Sequence, residues 1–183
     1  GSGDTGHDFA KLVAMLALAP VLAAGWSLLH QQLGGGRAHP RLARWLHALT
    51  RWYLAVVLLG YGMHKFYGGQ FGDLGPYRLL TRVGELAPMT MVGTFMKASQ
   101  AYELFGGGGE VLAGLLLFHR RTALLGAMVA TGVMTNVAAL NWCCGVPVKL
   151  FSAHLLLFAV ALLVPFVSGL WSLTTGEIGR AHV

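Results

Sequence analysis

Charge is scarce in this chain: 11% of its 183 residues are charged, against a hydrophobic share of 55%. An average soluble domain is roughly a quarter charged, so a water-soluble globule of this size would have too little polar surface to cover itself. Disorder is excluded for the opposite reason, because disordered chains combine low hydrophobicity with high net charge. Cysteine is limited to the adjacent pair Cys143 and Cys144, which cannot build a disulfide framework. No Cys-x-x-Cys is present, and a metal centre would need more ligands at defined spacing, so no metal is expected. Met89, Met91 and Met96 are read as packing residues and not as copper ligands. The opening Gly1-Ser2-Gly3 shows no basic segment ahead of an apolar core, so no signal peptide is read there, and a processed product or fragment is expected. Acids are scarcer than bases, 7 against 13. Glycine, in contrast, is plentiful at 26 residues, and small residues let helices approach closely in lipid.

What is present is a series of apolar runs. Five are read as membrane spans: Phe9–Leu29, about Leu46–Phe66, Tyr102–Phe118, Thr122–Leu140 and Val146–Trp171. About 20 apolar residues cross a bilayer core as a helix. A β-barrel would instead show alternating segments of about ten residues, whereas these runs are apolar on every face. The expected fold class is therefore all-α, a multi-pass transmembrane helix bundle. Pro147 is expected in the first turn of the last span, and Pro20 and Pro165 lie within spans, where neighbours can satisfy the freed carbonyls.

The placement of the cations sets the expected topology. Arg37, Arg41, Arg44 and Arg51 follow the first span, Arg120 and Arg121 join the third to the fourth, and Arg180 follows the fifth. Glu177 is the one acid among them, so this side carries the whole formal excess of +6. That side is read as cytoplasmic and the N-terminus as outside, in the inner (plasma) membrane of a bacterium. The charge is thus a topology signal, and no nucleic-acid partner is expected. Trp26, Trp45, Trp52, Trp142 and Trp171 fall near span ends, as interfacial anchors do.

Three regions follow. Residues 1–45 hold an outer segment, an extra span and a basic cytoplasmic loop; residues 46–171 hold four spans; residues 172–183 form a cytoplasmic tail. Within the second region, residues 67–101 form a long outer connection punctuated by Gly75-Pro76. It is read as two short helices, Tyr77–Val83 and Pro88–Met96, lying on or dipping into the outer face.

Ionisable residues within spans are costly and generally face the bundle interior. The candidates for an outer-side polar cavity are Tyr61, Lys65, Glu110, Asn136, Asn141, Lys149 and His154. Lysines at span ends can also snorkel to the interface, and the asparagines can serve as hydrogen-bonding glue between helices. Glu110 lies deeper, so an internal salt bridge or proton binding is expected of it. Glu103 shares its face but is read as interfacial. His154 is read first as a satisfied buried histidine, with proton relay or ligand contact as the alternatives. The run Gly106–Gly109 is read as a packing surface, with a helix break as the alternative.

Tyr61-Gly-Met-His-Lys65 followed by Gln70-Phe71 resembles the second-span signature of DoxX-like integral membrane proteins. Ala87-Pro-Met89, Thr94-Phe-Met-Lys-Ala-Ser99, Tyr102 to Glu110, Gly114 to Thr122, Asn136-Val137, Asn141 and Val146-Pro-Val-Lys149 continue the resemblance over about residues 50–170. Gly1-Ser-Gly-Asp-Thr5 is similar to a segment of longer members. The resemblance implies a four-helix core with the first span as an addition. The chain departs from it at Cys144-Gly145, where relatives tend to carry an aromatic and an acid before Val146-Pro-Val-Lys149, so Lys149 is expected to rely on Glu110. For function the resemblance implies a membrane subunit of a quinone- or thiol-linked redox system, an oxidoreductase subunit if enzymatic. Quinone is then the candidate guest, and the lipid bilayer, redox proteins and a second copy of the chain are the candidate partners. A non-catalytic scaffold is the alternative from another class, and a small-solute transporter the weaker one.

Overall fold

The computed structural model describes residues 4–32, 40–72 and 74–167, and among them every regular element is helical. These are α1 (Gly6–Gln32), α2 (Pro40–Phe66), α3 (Pro76–Leu80), α4 (Pro88–Ala98), α5 (Gln100–Phe118), α6 (Ala123–Cys143) and α7 (Lys149–Leu163), with single 3-10 turns at Val83–Glu85 and Val164–Phe166. Arg37, Trp171, the tail with Glu177 and Arg180, and Gly1–Gly3 lie outside the described residues.

Among the described residues, four helices are long and apolar enough to cross a membrane: α1, α5, α6, and α7 with its 3-10 extension. The sequence reading counts five. The helix that falls short is α2, which has 27 residues but is diluted by Arg41, Arg44, His47, Arg51, His64 and Lys65. Of these, Arg51 and Lys65 are buried in the bundle whereas Arg41, Arg44 and His64 stay exposed, and α2 packs along α5. The ring continues from α5 to α6, from α6 to α7, and from α7 back to α2. Leu54, Ala55 and Leu58 of α2, Ala113 and Leu117 of α5, Ala127, Ala130 and Met134 of α6, and Leu155, Ala159 and Leu162 of α7 form one buried cluster.

Lipid tails are as apolar as leucine, so helix association in a membrane depends on close packing and polar contacts. The small residues supply the first. A Cβ on Gly62 would stand 2.7 Å from the Gly107 carbonyl, and one on Gly107 would stand 3.0 Å from the Gly62 carbonyl. One heptad along, a Cβ on Gly114 would meet Leu59 at 2.8 Å and the Ala55 carbonyl at 2.9 Å. Helix α5 runs unbroken through Gly106–Gly109, as the packing reading requires. Within that run Gly107 faces α2 and Gly109 faces Val133, whereas Gly106 and Gly108 face open space. Edge-to-face rings add to the α2–α7 seam, with Tyr53 against Phe158 at 5.8 Å.

The last span departs from the expected start. Helix α7 begins at Lys149 with Val148 as its N-cap, so Pro147 precedes the helix instead of occupying its first turn. Gly145 turns the chain in the left-handed region (φ +69°), and the Val146 N–H donates to the Asn141 carbonyl, which uses up the residues before Val148. Pro165 falls in the 3-10 turn that ends α7. Pro20 is accommodated inside a continuous α1. Residues 67–101 contain the two expected short helices, shifted slightly to α3 and α4, and α4 packs on α5.

Helix α1 has no buried residue and meets the bundle through its entry segment. The Asp4 carboxylate accepts the N–H groups of Lys149 (2.6 Å) and Leu150 (2.9 Å), capping α7 where negative charge is favoured. Thr5 and Asp8 close the start of α1 in a box of their own, with Thr5 donating to the Asp8 carboxylate from its amide and its hydroxyl.

Gly114→Ala should lower stability in detergent by about 1–3 kcal/mol through overpacking. Gly108→Ala should be neutral or stabilising by up to about 1 kcal/mol, because it only removes a helix penalty; thermal unfolding of the two variants separates them. Asp4→Ala should cost about 1 kcal/mol and accelerate amide exchange at Lys149 and Leu150 relative to the middle of α7.

Candidate functional site

The candidate site lies at the end of the bundle where α2 finishes and α5 begins. Lys65 sits in the last turn of α2, and the close approach at Gly62 and Gly107 carries it against α5, with a Gly107 Cβ position only 3.0 Å from the Lys65 Cβ. Its Nζ donates to Glu110 Oε1 at 2.6 Å. Both residues are buried, Lys65 at 8% exposure and Glu110 at 2%. The internal salt bridge expected of Glu110 is therefore present.

A second ion pair stands beside it. Lys97, in the last turn of α4, donates to Glu103 Oε2 at 3.3 Å and to the Gly68 carbonyl at 3.2 Å. Gly68 holds φ +67°, a left-handed turn that glycine adopts at little cost. Glu103 is 4% exposed, covered by Lys97 of α4. The sequence reading used Lys97 only as part of the Thr94–Ser99 motif. Its placement six residues before Glu103, across the N-cap Ser99, was the available signal.

Glu103 and Glu110 lie two helical turns apart on one face of α5, about 10 Å along the axis. Each uses one carboxylate oxygen for its lysine. The other oxygen of each, Oε1 of Glu103 and Oε2 of Glu110, is buried without a hydrogen-bond partner. Leaving a buried acceptor unpaired costs about 1–3 kcal/mol, and more when it is charged. Both oxygens are thus places where a proton or a donor from a bound molecule would be stabilised.

The other candidates are distributed unevenly. Asn141 is buried at the end of α6. Tyr61 stacks its ring at a tilt against Phe151, 5.8 Å between centroids, and keeps 38% exposure. His154 Nδ1 donates to the Leu150 carbonyl of its own helix at 2.6 Å, so it fits the satisfied histidine. Asn136 is exposed on α6 and does not join the group, because the buried stripe of that helix runs through Ala130, Met134, Ala138 and Asn141. Lys149 is half-buried and makes no ion pair among the described residues. Its expected partner Glu110 is held by Lys65, and the helix start that carries Lys149 is held by Asp4.

Cys143 and Cys144 are free thiols, the first exposed. Among the described residues no group of three or more His, Cys, Asp or Glu is arranged to hold a metal ion.

The chain is similar to YwoB, an uncharacterized protein of Bacillus subtilis (strain 168), with 35% identity over 129 residues, covering 70% of this chain and 82% of the relative. This chain belongs to the YwoB family. No family model matches the chain, and no solved structure matches it. Among its described residues this chain is all-helical, with two lysine–glutamate pairs at one end, one within the four-helix ring and one between the ring and α4.

Removing one member of a buried pair strands the other charge. Lys65→Met and Glu110→Leu should each destabilise the protein by about 3–5 kcal/mol, whereas the double variant should recover most of the loss. A double-mutant cycle by thermal unfolding in detergent measures the coupling.

Proposed function

We propose that the chain is a DoxX-like membrane subunit of a quinone- or thiol-linked redox system. In this reading it lies in the bacterial inner membrane with its N-terminus outside and C-terminus cytoplasmic. The observation that carries the proposal is the buried Lys65–Glu110 pair, with Glu110 Oε2 left open beside it. A quinone head group presents carbonyl or hydroxyl oxygens, for which a lysine ammonium is a donor and a carboxylate an acceptor. Glu110 would hold or release the proton that accompanies reduction of such a guest, and Asn141 and Tyr61 would flank it. The distribution of basic residues supports the orientation: Arg41, Arg44, Arg51, Arg120 and Arg121 collect at the opposite end from Lys65 and Glu110, as the positive-inside rule requires of a cytoplasmic face.

The second reading, a scaffold without catalysis, is favoured by the tight Gly62–Gly107 approach and by the outward-facing Asn136. There the ion pairs only hold α2, α4 and α5 together.

Protein purified from membranes, extracted with organic solvent and measured by absorbance tests the proposal. A quinone should co-purify with the unaltered chain, and Glu110→Gln, which keeps the shape, should retain at least about tenfold less, the scale of one hydrogen bond to a charged group. No quinone in either preparation, with stability changed by the substitution, supports the scaffold instead.

A further inference from the structure

At the opposite end of the bundle lies a second concentration of charge that the redox reading does not use. A shallow, widely open cleft of about 660 Å³ lies between α2 and the α5–α6 turn, lined by Arg51, Trp52, Phe118, His119, Arg120 and Arg121. Arg51 is the most buried of these at 8% exposure, and His119, Arg120 and Arg121 form an exposed rim. No acid lines the cleft, and among the described residues Arg51 enters no ion pair. The described acids are placed elsewhere: Glu103 and Glu110 hold lysines, Asp4 caps α7, Asp8 closes α1, and Glu85 lies in the 3-10 turn before α4.

Arg51 buries most of its side chain, yet its guanidinium nitrogens are not among the buried atoms left without a partner, so the charged head reaches the opening of the cleft. Here its neighbour is the Trp52 ring, 6.0 Å from the guanidinium carbon, and two further arginines stand across the opening. Three guanidinium groups without an acid form a recognition set for phosphate oxygens, which they bind through paired N–H donors. The start of α6 adds to the field. Its N-cap Thr122 makes no side-chain cap to the helix, and turns its hydroxyl instead to the carbonyls of Leu116 and His119. The positive end of the α6 dipole thus lies just after Arg120 and Arg121 without a side-chain cap.

We propose that this cleft binds a phosphate group, with Arg51 at its base and Arg120 and Arg121 closing over it. The wall formed by Trp52 and Phe118, packed edge to face at 5.2 Å, suits the glycerol and upper acyl region of a lipid whose phosphodiester reaches the arginines. A soluble phosphate ester shares the head-group chemistry but leaves that wall unused.

The full chain is reconstituted in nanodiscs of phosphatidylglycerol or phosphatidylcholine and released into detergent. Retained lipid is then counted by native mass spectrometry, with and without inorganic phosphate as competitor. Phosphatidylglycerol should be retained over phosphatidylcholine, and retention should fall about fivefold for each arginine removed in Arg51→Gln and in the rim variant Arg120→Gln/Arg121→Gln. Should Arg51→Gln fail to fold, the exposed rim variant decides. Binding of inorganic phosphate without selective lipid retention, lost in the rim variant, keeps the phosphate site and assigns it to a soluble anion. Equal retention of the two lipids with no phosphate binding overturns the proposal, as does a rim variant that binds like the unaltered chain.

Discussion

The structure depends on how closely α2 can approach α5. Where Gly62 faces Gly107, each backbone lies where the other's side chain would have been, and this contact brings Lys65 within reach of Glu110. The order of cause matters. A lysine at the end of a helix otherwise turns toward water, and a glutamate about three turns into an apolar helix would be an uncompensated charge. With the helices held together by small residues, the two ions satisfy each other at 2.6 Å, and the pairing in turn resists separation of the helices. Packing and electrostatics therefore reinforce one another at a single crossing.

The two ends of the bundle solve the problem of charge differently. At the end holding Lys65, every described acid on α5 has a lysine, and each lysine comes from an element that the chain must fold back to deliver: the last turn of α2 and the last turn of α4. At the other end, among the described residues, Arg51, Arg120 and Arg121 enter no ion pair. Charge that is internally neutral can be buried completely, as Glu103 and Glu110 are. Unbalanced charge has to stay near an opening, and the exposed rim of Arg120 and Arg121 does so.

Much of the architecture was readable from composition. Long apolar runs with almost no charge admit few structures other than membrane helices, and four of the five expected spans meet that description in the structure. Helix α2 was the harder case, because its length and its charge argue in opposite directions and only the partner helix resolves them. The site was legible in part. Depth within a span identified Glu110, with Lys65 and Lys149 both as candidates beside it; Lys149 was the expected partner, and only the packing of α2 on α5 gives the place to Lys65. Spacing along one helix says nothing of which face a neighbour covers, however, so Asn136 was included although α6 turns it outward. Lys97 was passed over as a site residue because its partner lies beyond a helix cap and its supporting carbonyl belongs to a glycine turn. Asp4 was invisible for a simpler reason, being 145 residues from the amide it caps.

That last contact joins the first described helix to the last. Helix α1 buries nothing against the bundle, so it can enter the membrane and remain there with no partner while the other helices are synthesised. The amides of Lys149 and Leu150 do not exist as a helix start until α7 has formed. The Asp4 carboxylate therefore has these two donors only once α7 exists as a helix, and closing so long a loop carries an entropic cost. The tether links the entry of α1 to the start of α7 across 145 residues of chain, so loosening it would free both helix starts at once.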